Sequence, residues 1–134
     1  MTVVFDTNVV VAALIAKGLC HEVFHRAVRL RVLASSAPLM DELDATLREK
    51  FVVTPAVAAF LAGFRDQVRL VEPVRLPAPV CRDPDVDMVP ATAVAAAADV
   101  IVTGDLDLQV LGTHQGIHIL SPRRFLEWLD GLAG

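Results

Sequence analysis

The sequence has few aromatic residues and no excess of positive charge. Its 134 residues include no Tyr and one Trp, and aromatic residues make up 5% of the chain. Stacking of nucleobases on aromatic rings is therefore a poor candidate for the main mode of ligand recognition. The formal charge of -4, from 16 acidic and 12 basic residues, argues against nucleic-acid binding by bulk positive charge alone. A polyanionic substrate is still compatible with it, because clustered carboxylates recruit divalent cations that reverse the local charge.

Cysteine and long apolar runs are also scarce. Cys20 and Cys81 are too few for a disulfide framework, and we expect both to be ordinary buried thiols. The first residues, MTVVFDTN, lack the basic and apolar regions of a signal peptide. No apolar run reaches the roughly 20 residues that span a bilayer. These absences predict a cytoplasmic protein with no membrane segment.

The sequence is instead rich in short apolar runs that alternate with longer helical segments. At 54% hydrophobic residues, the chain has enough apolar surface for a single domain over residues 1–134. Strands are predicted at 3–5, 32–35, 100–103 and 116–120, with another short strand between 71 and 81. Helices are predicted at 8–18, 21–31, 36–51 and 54–70, and from Ser121 onward. Another is predicted in the alanine-rich segment before residue 99, and a short helical turn at 107–112. This alternation predicts an α/β fold in which helices cover both faces of a parallel sheet.

Acidic residues follow two of the predicted strands. Asp6 comes directly after the strand VVF, and Asp105 lies two residues beyond VIVT. Ligands of open parallel sheets bind at the carboxyl ends of the strands, so we expect these two carboxylates to face each other across one edge. Asp83, Asp85 and Asp87 lie at the start of the helix that leads into VIVT. Glu42 lies within a helix and projects over the same edge if that helix packs beside it.

Carboxylates that converge with no base between them repel each other until they take up protons or a cation. Oxygen ligands favour a hard divalent ion such as Mg²⁺ or Mn²⁺, which can activate water and stabilise the in-line displacement at a phosphodiester. A zinc site is not indicated, because His21 and His25 have no third ligand nearby in the sequence. Each acid also has a structural interpretation, since Asp at these positions caps helices or stabilises their first turn.

Three blocks of the sequence, taken in order, resemble the PIN-domain family. They are VVFDTNVVVAAL, SSAPLMDELDATLREKF and CRDPDVDMVPATAVAAAADVIVTGDLDLQVL. The blocks cover nearly the whole chain, and RDPDxD followed by ADVIVTGDLDL is the specific part. The resemblance is to the toxin components of prokaryotic toxin–antitoxin pairs. It implies a three-layer α/β/α fold with a parallel sheet of four or five strands, and a metal-dependent ribonuclease that uses Mg²⁺ or Mn²⁺.

The resemblance also implies roles for individual residues by their positions in the motifs. The catalytic, metal-binding acids are Asp6, Glu42, Asp87 and Asp105, and Asp107 matches a further acid that often joins the metal ligands. Small polar positions that orient the acids or the attacking water are matched by Thr7, Asn8 and Thr103. Apart from the resemblance, position in the sequence makes two basic residues candidate contacts to the substrate: Arg82, which precedes the acidic block, and Lys17, at the end of a helix.

The motif match has two departures. Val86 stands where a third acid is common, and Met88 stands where a lysine is common. The four central acids are present, so we expect catalysis to be retained.

The resemblance further implies RNA as substrate, an antitoxin protein that covers the active-site groove, and a homodimer. Two other classes are alternatives: a catalytically weak or inactive PIN module that binds metal or RNA, and a phosphatase-type phosphoester hydrolase. A phosphatase of the haloacid-dehalogenase type needs a second Asp two positions after the first, where this chain has Asn8. A phosphotransfer receiver module is disfavoured as well, because GIHILSPRR near the last strand has no lysine.

Overall fold

The computed structural model describes residues 1–50, 53–80 and 86–133. The strands are β1 (Val3–Phe5), β2 (Leu33–Ser35), β3 (Arg69–Leu70), β4 (Val100–Val102), β5 (Thr113–His114) and β6 (Ile117–Leu120). The helices are α1 (Thr7–Ile15), α2 (Leu19–Leu30), α3 (Ala37–Lys50), α4 (Pro55–Gln67), α5 (Met88–Ala95), α6 (Leu106–Leu111) and α7 (Pro122–Ala133). The predictions that concern Cys81, Arg82, Asp83 and Asp85 lie outside the described residues.

The strands form one sheet in the order β3-β2-β1-β4-β6-β5. Every neighbouring pair is parallel except β5 and β6, which form an antiparallel hairpin. The predicted parallel sheet is confirmed, with five parallel strands, and β5 adds an edge strand that the sequence pattern does not predict. The hairpin turns at Gln115 and Gly116, which have φ of 51° and 81°. Positive φ at both central residues is typical of the two-residue turns that join antiparallel strands.

Both faces of the sheet are covered by helices. All residues of β1, β2 and β4 are buried, which explains their continuous apolar sequence, since a strand covered on both faces has no polar side. Alternate side chains such as Val3 and Phe5 pack with α1, α2, α4 and α7, whereas Val4 and Ile101 pack with α5 and α6. The molecule is therefore a three-layer α/β/α structure.

Two predicted helix boundaries are wrong. The helix predicted to continue to residue 70 ends at Gln67, because Val68 is extended and Arg69–Leu70 pair with Ala34–Ser35 of β2. Pairing with a free strand edge thus outweighs local helical periodicity. The first helix ends at Ile15, and Gly18 is instead the N-cap of α2. Among the described residues no single helix is long and apolar enough to cross a membrane; α1 and α2 meet this criterion only when taken together, and they are bent by 107° at their break.

A buried hydroxyl pair joins the end of β2 to α5. Ser36 and Thr92 are both fully buried, and their hydroxyl oxygens lie 2.8 Å apart. The Thr92 hydroxyl donates to the carbonyl oxygen of Met88 at 2.8 Å, so Ser36 is the donor in the pair. Because the two groups satisfy each other away from water, removal of either one leaves an unpaired polar atom.

We expect Ser36→Ala and Thr92→Val each to lower the free energy of unfolding by about 1–2 kcal/mol. The double variant should lose less than the sum of the two, by at least about 0.5 kcal/mol, because the second substitution removes a group that the first has already left unpaired. Urea unfolding of the four proteins measures this coupling. Strictly additive losses would show that the pair contributes no interaction of its own.

Candidate active site

The carboxyl ends of β1, β4 and β6 meet at one edge of the sheet. The backbone N–H of Asp6 donates to the carbonyl of Val102 at 2.9 Å, and the N–H of Thr103 donates to the carbonyl of Leu120 at 3.0 Å. These bonds continue the parallel ladders one residue past the strands. The sheet register therefore places Asp6 beside Thr103, although the two are 97 residues apart in the chain.

Thr103 links the two acids that the sequence places after strands. Its hydroxyl donates to Oδ2 of Asp6 at 2.7 Å and accepts from the backbone N–H of Asp105 at 3.0 Å. The Gln109 side-chain amide donates to the Thr103 carbonyl at 2.7 Å. Asp6 and Thr103 are buried and Asp105 is half-buried. The Thr103 hydroxyl thus binds the carboxylate of Asp6 and the backbone N–H of Asp105.

Both carboxylates also cap helices. Asp6 is the N-cap of α1, and its Oδ1 accepts a long bond of 3.5 Å from the N–H of Asn8. Asp105 is the N-cap of α6, and its Oδ1 accepts from the N–H of Leu108 at 3.0 Å. The capping interpretation is thus confirmed for both residues, and the same hydrogen bonds fix the orientation of their carboxylates.

The environment of Asp6 disfavours its charged form. Burial raises the pKa of Asp6 above its ordinary value of 3.8, and the negative charge of Asp105 raises it further. Hydrogen bonds from Thr103 and from the backbone N–H groups of Asn8 and Thr7 act in the opposite direction but do not cancel the effect of burial. Within the described residues no Lys, Arg or His forms a salt bridge with either acid. A proton or a cation would relieve the unfavourable charge.

We expect Asp6→Asn to increase stability in metal-free buffer at neutral pH. The raised pKa means that the folded state holds its proton at a pH where the unfolded chain has already lost it. The contribution of Asp6 to stability is therefore fully present below pH 3.8 and is lost as the pH rises through the higher folded-state pKa. Asn keeps the capping ability of Asp without the charge.

Urea unfolding between pH 4 and 8 in EDTA tests this expectation. The stability difference between Asp6→Asn and the wild type should grow as the pH rises. Asp66→Asn, which removes one exposed carboxylate on α4, is the matched control for the loss of one negative charge. Parallel pH profiles for Asp6→Asn and the wild type would contradict the raised pKa.

The other predicted acids occupy different surroundings. Glu42 is exposed in the second turn of α3, and Asp107 is exposed in the first turn of α6. Asp87 is half-buried at the start of α5, and both of its carboxylate oxygens accept from the N–H of Val80, at 3.2 and 3.1 Å. In the described part of the chain no three His, Cys, Asp or Glu side chains are placed to share one metal ion. Thr103 thus links Asp6 to Asp105, and the assignment of Glu42, Asp87 and Asp107 as metal ligands stays a prediction.

The predicted supporting residues also differ in their surroundings. Thr7 is buried as the first residue of α1, whereas Asn8 is exposed and contributes its backbone N–H to Asp6. Lys17 is exposed just beyond the end of α1, a helix of 9 residues that begins at the edge. It is therefore separated from Asp6 by the length of that helix, on the order of 13 Å at 1.5 Å per residue.

Gln109 is a supporting residue that sequence analysis missed. Its amide holds the carbonyl of Thr103, the residue that bonds to both acids. The sequence feature that could have indicated Gln109 is its position four residues after Asp105, because residues at this spacing lie on the same side of a helix.

The donor set suits a hard divalent cation. The side chains of Asp6, Asp105 and Thr103 offer only oxygen atoms, and burial raises the pKa of Asp6. Mg²⁺ typically needs one or two protein carboxylates and completes its coordination with water and substrate phosphates. Two carboxylates at one edge of the sheet therefore suit such an ion without a full protein cage.

In a comparison with known families, residues 2–107 match a model described as the PIN domain. The matched segment contains Asp6, Thr103, Asp105 and Asp107, and it includes strands β1 to β4. α6 extends past the end of the matched segment, and β5, β6 and α7 follow it. A search of curated proteins found no match.

Proposed function

Because the chain belongs to the PIN-domain family, we propose that it is a metal-dependent endoribonuclease that hydrolyses RNA phosphodiester bonds. PIN domains are generally nucleases that require a divalent metal. The observation that carries the proposal is the pairing of Asp6 and Asp105 through Thr103 at the carboxyl edge of the sheet. Two carboxylates without a basic partner are poor contacts for RNA by themselves but suit the recruitment of a cation that RNA can share.

In this proposal Asp6 and Asp105 hold Mg²⁺ or Mn²⁺, with Glu42, Asp87 and Asp107 as further ligands. When bound, the divalent ion supplies Lewis-acid stabilisation of the phosphodiester and activation of water. Thr103 keeps Oδ2 of Asp6 in one orientation, and the cap on α6 does the same for Oδ1 of Asp105. Carboxylates held this way need no reorganisation during the reaction, which is the main electrostatic advantage of a preformed site.

Incubation with single-stranded RNA in Mg²⁺, Mn²⁺ or EDTA tests the proposal. Cleavage that requires metal and stops in EDTA supports the nuclease. Release of phosphate from a small phosphoester without RNA cleavage would instead support a phosphatase.

A second candidate is a PIN module that binds metal or RNA with little or no catalysis. It is favoured by one observation: the described residues contain no group of three candidate ligands for one ion. RNA binding without cleavage in any metal would support this alternative over the nuclease.

The proposal extends to a biological role as the toxin of a toxin–antitoxin pair, acting in the cytoplasm as a homodimer that its antitoxin covers. The support is the motif resemblance to such toxins. Growth arrest on expression of the wild type, but not of Asp6→Asn, tests the toxin role. Relief of that arrest by the product of a neighbouring gene would identify the antitoxin.

A further inference from the structure

Two arginines lie at the same edge of the sheet as the acids. Arg123 and Arg124 are the second and third residues of α7, which begins two residues after β6 ends. The end of β6 is bonded to Thr103, since the Leu120 carbonyl accepts from the Thr103 N–H. β6 and β1 both neighbour β4, so their ends lie on the order of 10 Å apart at the usual strand spacing.

Both guanidinium groups are available to a ligand. Arg123 and Arg124 are exposed, and in the described ranges the salt bridges are Arg26 with Asp130 and Arg48 with Asp44. The backbone N–H of Arg124 donates to the Ser121 hydroxyl at 3.2 Å, which fixes the first turn of the helix. The backbone of the pair is thus held in place, while its side chains form no salt bridge within the described structure.

The stability of α7 does not explain these two charges. Cations in the first turn of a helix are unfavourable because the helix dipole is positive there. The helix is held instead by apolar packing of Phe125, which is fully buried, and of Leu129. Arg29 and Arg65 show the opposite arrangement, since they lie in the last turns of α2 and α4, where the dipole favours cations. A bound anion would offset the unfavourable charge at Arg123 and Arg124.

We propose that Arg123 and Arg124 bind backbone phosphates of single-stranded RNA next to the acidic site. This inference rests on the proposed function. The two arginines would supply positive charge for RNA binding, whereas the chain as a whole has a net charge of -4. Guanidinium groups form paired hydrogen bonds with phosphate oxygens, and phosphate contacts position a strand without reading its sequence. Asp6 and Asp105 repel the strand until a cation is bound, so neighbouring arginines determine its initial capture.

The test is RNA binding by the double variant Arg123→Gln/Arg124→Gln. Fluorescence anisotropy with a labelled single-stranded RNA of mixed sequence is measured in EDTA, where a metal-dependent nuclease leaves the RNA intact. We expect affinity to fall by at least about tenfold. A plot of log affinity against log salt concentration should become less steep by about 1.4, because each neutralised phosphate contributes roughly 0.7 to the steepness of the slope. The melting temperature should not fall, because the removed charges are unfavourable to α7.

The matched control is Arg29→Gln/Arg65→Gln, which removes the same charge from exposed arginines at helix ends that lead into the opposite edge of the sheet. This control should retain wild-type RNA affinity. Equal decreases in affinity in the two double variants would overturn the inference, since they would indicate a general effect of net charge. Unchanged binding by Arg123→Gln/Arg124→Gln would overturn it directly.

A parallel cleavage assay with the wild type separates this inference from the proposed function. Selective loss of RNA binding in the α7 variant, with no cleavage by the wild type in Mg²⁺ or Mn²⁺, would support the arginine contacts and contradict the nuclease. Metal-dependent cleavage by the wild type, with equal binding by both double variants, would support the nuclease and contradict the arginine contacts.

Discussion

Asp6→Asn should abolish metal-dependent RNA cleavage, lowering the rate by at least about a hundredfold, while the protein stays folded. Substitutions that only support metal ligands already cost about 10- to 100-fold in metal affinity or activity, and Asp6 is proposed as a ligand itself. Asn retains one side-chain oxygen, which can cap α1 or accept from Thr103. It removes the negative charge that would attract the ion.

The measurement is the initial rate of RNA cleavage in Mg²⁺ and in Mn²⁺, with stability measured in EDTA on the same preparations. Asp66→Asn again serves as the control for loss of one carboxylate and should cleave at the wild-type rate. If Asp6→Asn also cleaves at that rate, the assignment of Asp6 to the metal site is wrong. Loss of cleavage together with a lower free energy of unfolding would point to a structural role for Asp6 instead.

Thr103→Val should have the second-largest effect. Val has nearly the shape of Thr but no hydroxyl, so Asp6 loses its donor at 2.7 Å and the Asp105 N–H loses its acceptor. We expect a decrease in stability of about 1–3 kcal/mol, because buried polar groups are left unpaired. We also expect cleavage to fall about 10- to 100-fold, as found when groups that orient metal ligands are removed.

A positioning role for Thr103 predicts a change in metal dependence as well as in stability. The Mg²⁺ concentration that gives half-maximal cleavage should rise in Thr103→Val and return toward the wild-type value in Thr103→Ser, which restores the hydroxyl. Thr92→Val is the matched control, since it removes a buried threonine hydroxyl that bonds to Ser36 and to the Met88 carbonyl instead of to Asp6 and Asp105. Equal Mg²⁺ requirements in Thr103→Val and Thr92→Val would show that Thr103 contributes only to stability.

The strands that could be predicted from the sequence are those whose burial is visible as a run of apolar residues. β1, β2 and β4 are apolar almost throughout because both faces of these strands are covered. Two helix starts could also be predicted from their capping residues, since the hydroxyls of Thr54 and Ser121 accept hydrogen bonds from N–H groups of the helices that follow them. β3 has only two, exposed residues, so its pairing with β2 left no signal in its composition.

The sequence alone determined where Asp6 and Asp105 lie, because carboxylates that closely follow buried strands must lie at the carboxyl edge of a parallel sheet. The tertiary structure decided which of them meet. Asp6 and Asp105 are joined because parallel pairing of β1 with β4 brings Thr103 against Asp6. Glu42 and Asp87 lie on helices or at their ends, where the position of a side chain depends on how the helix packs. That packing depends on contacts between residues far apart in the chain, which short motifs do not encode.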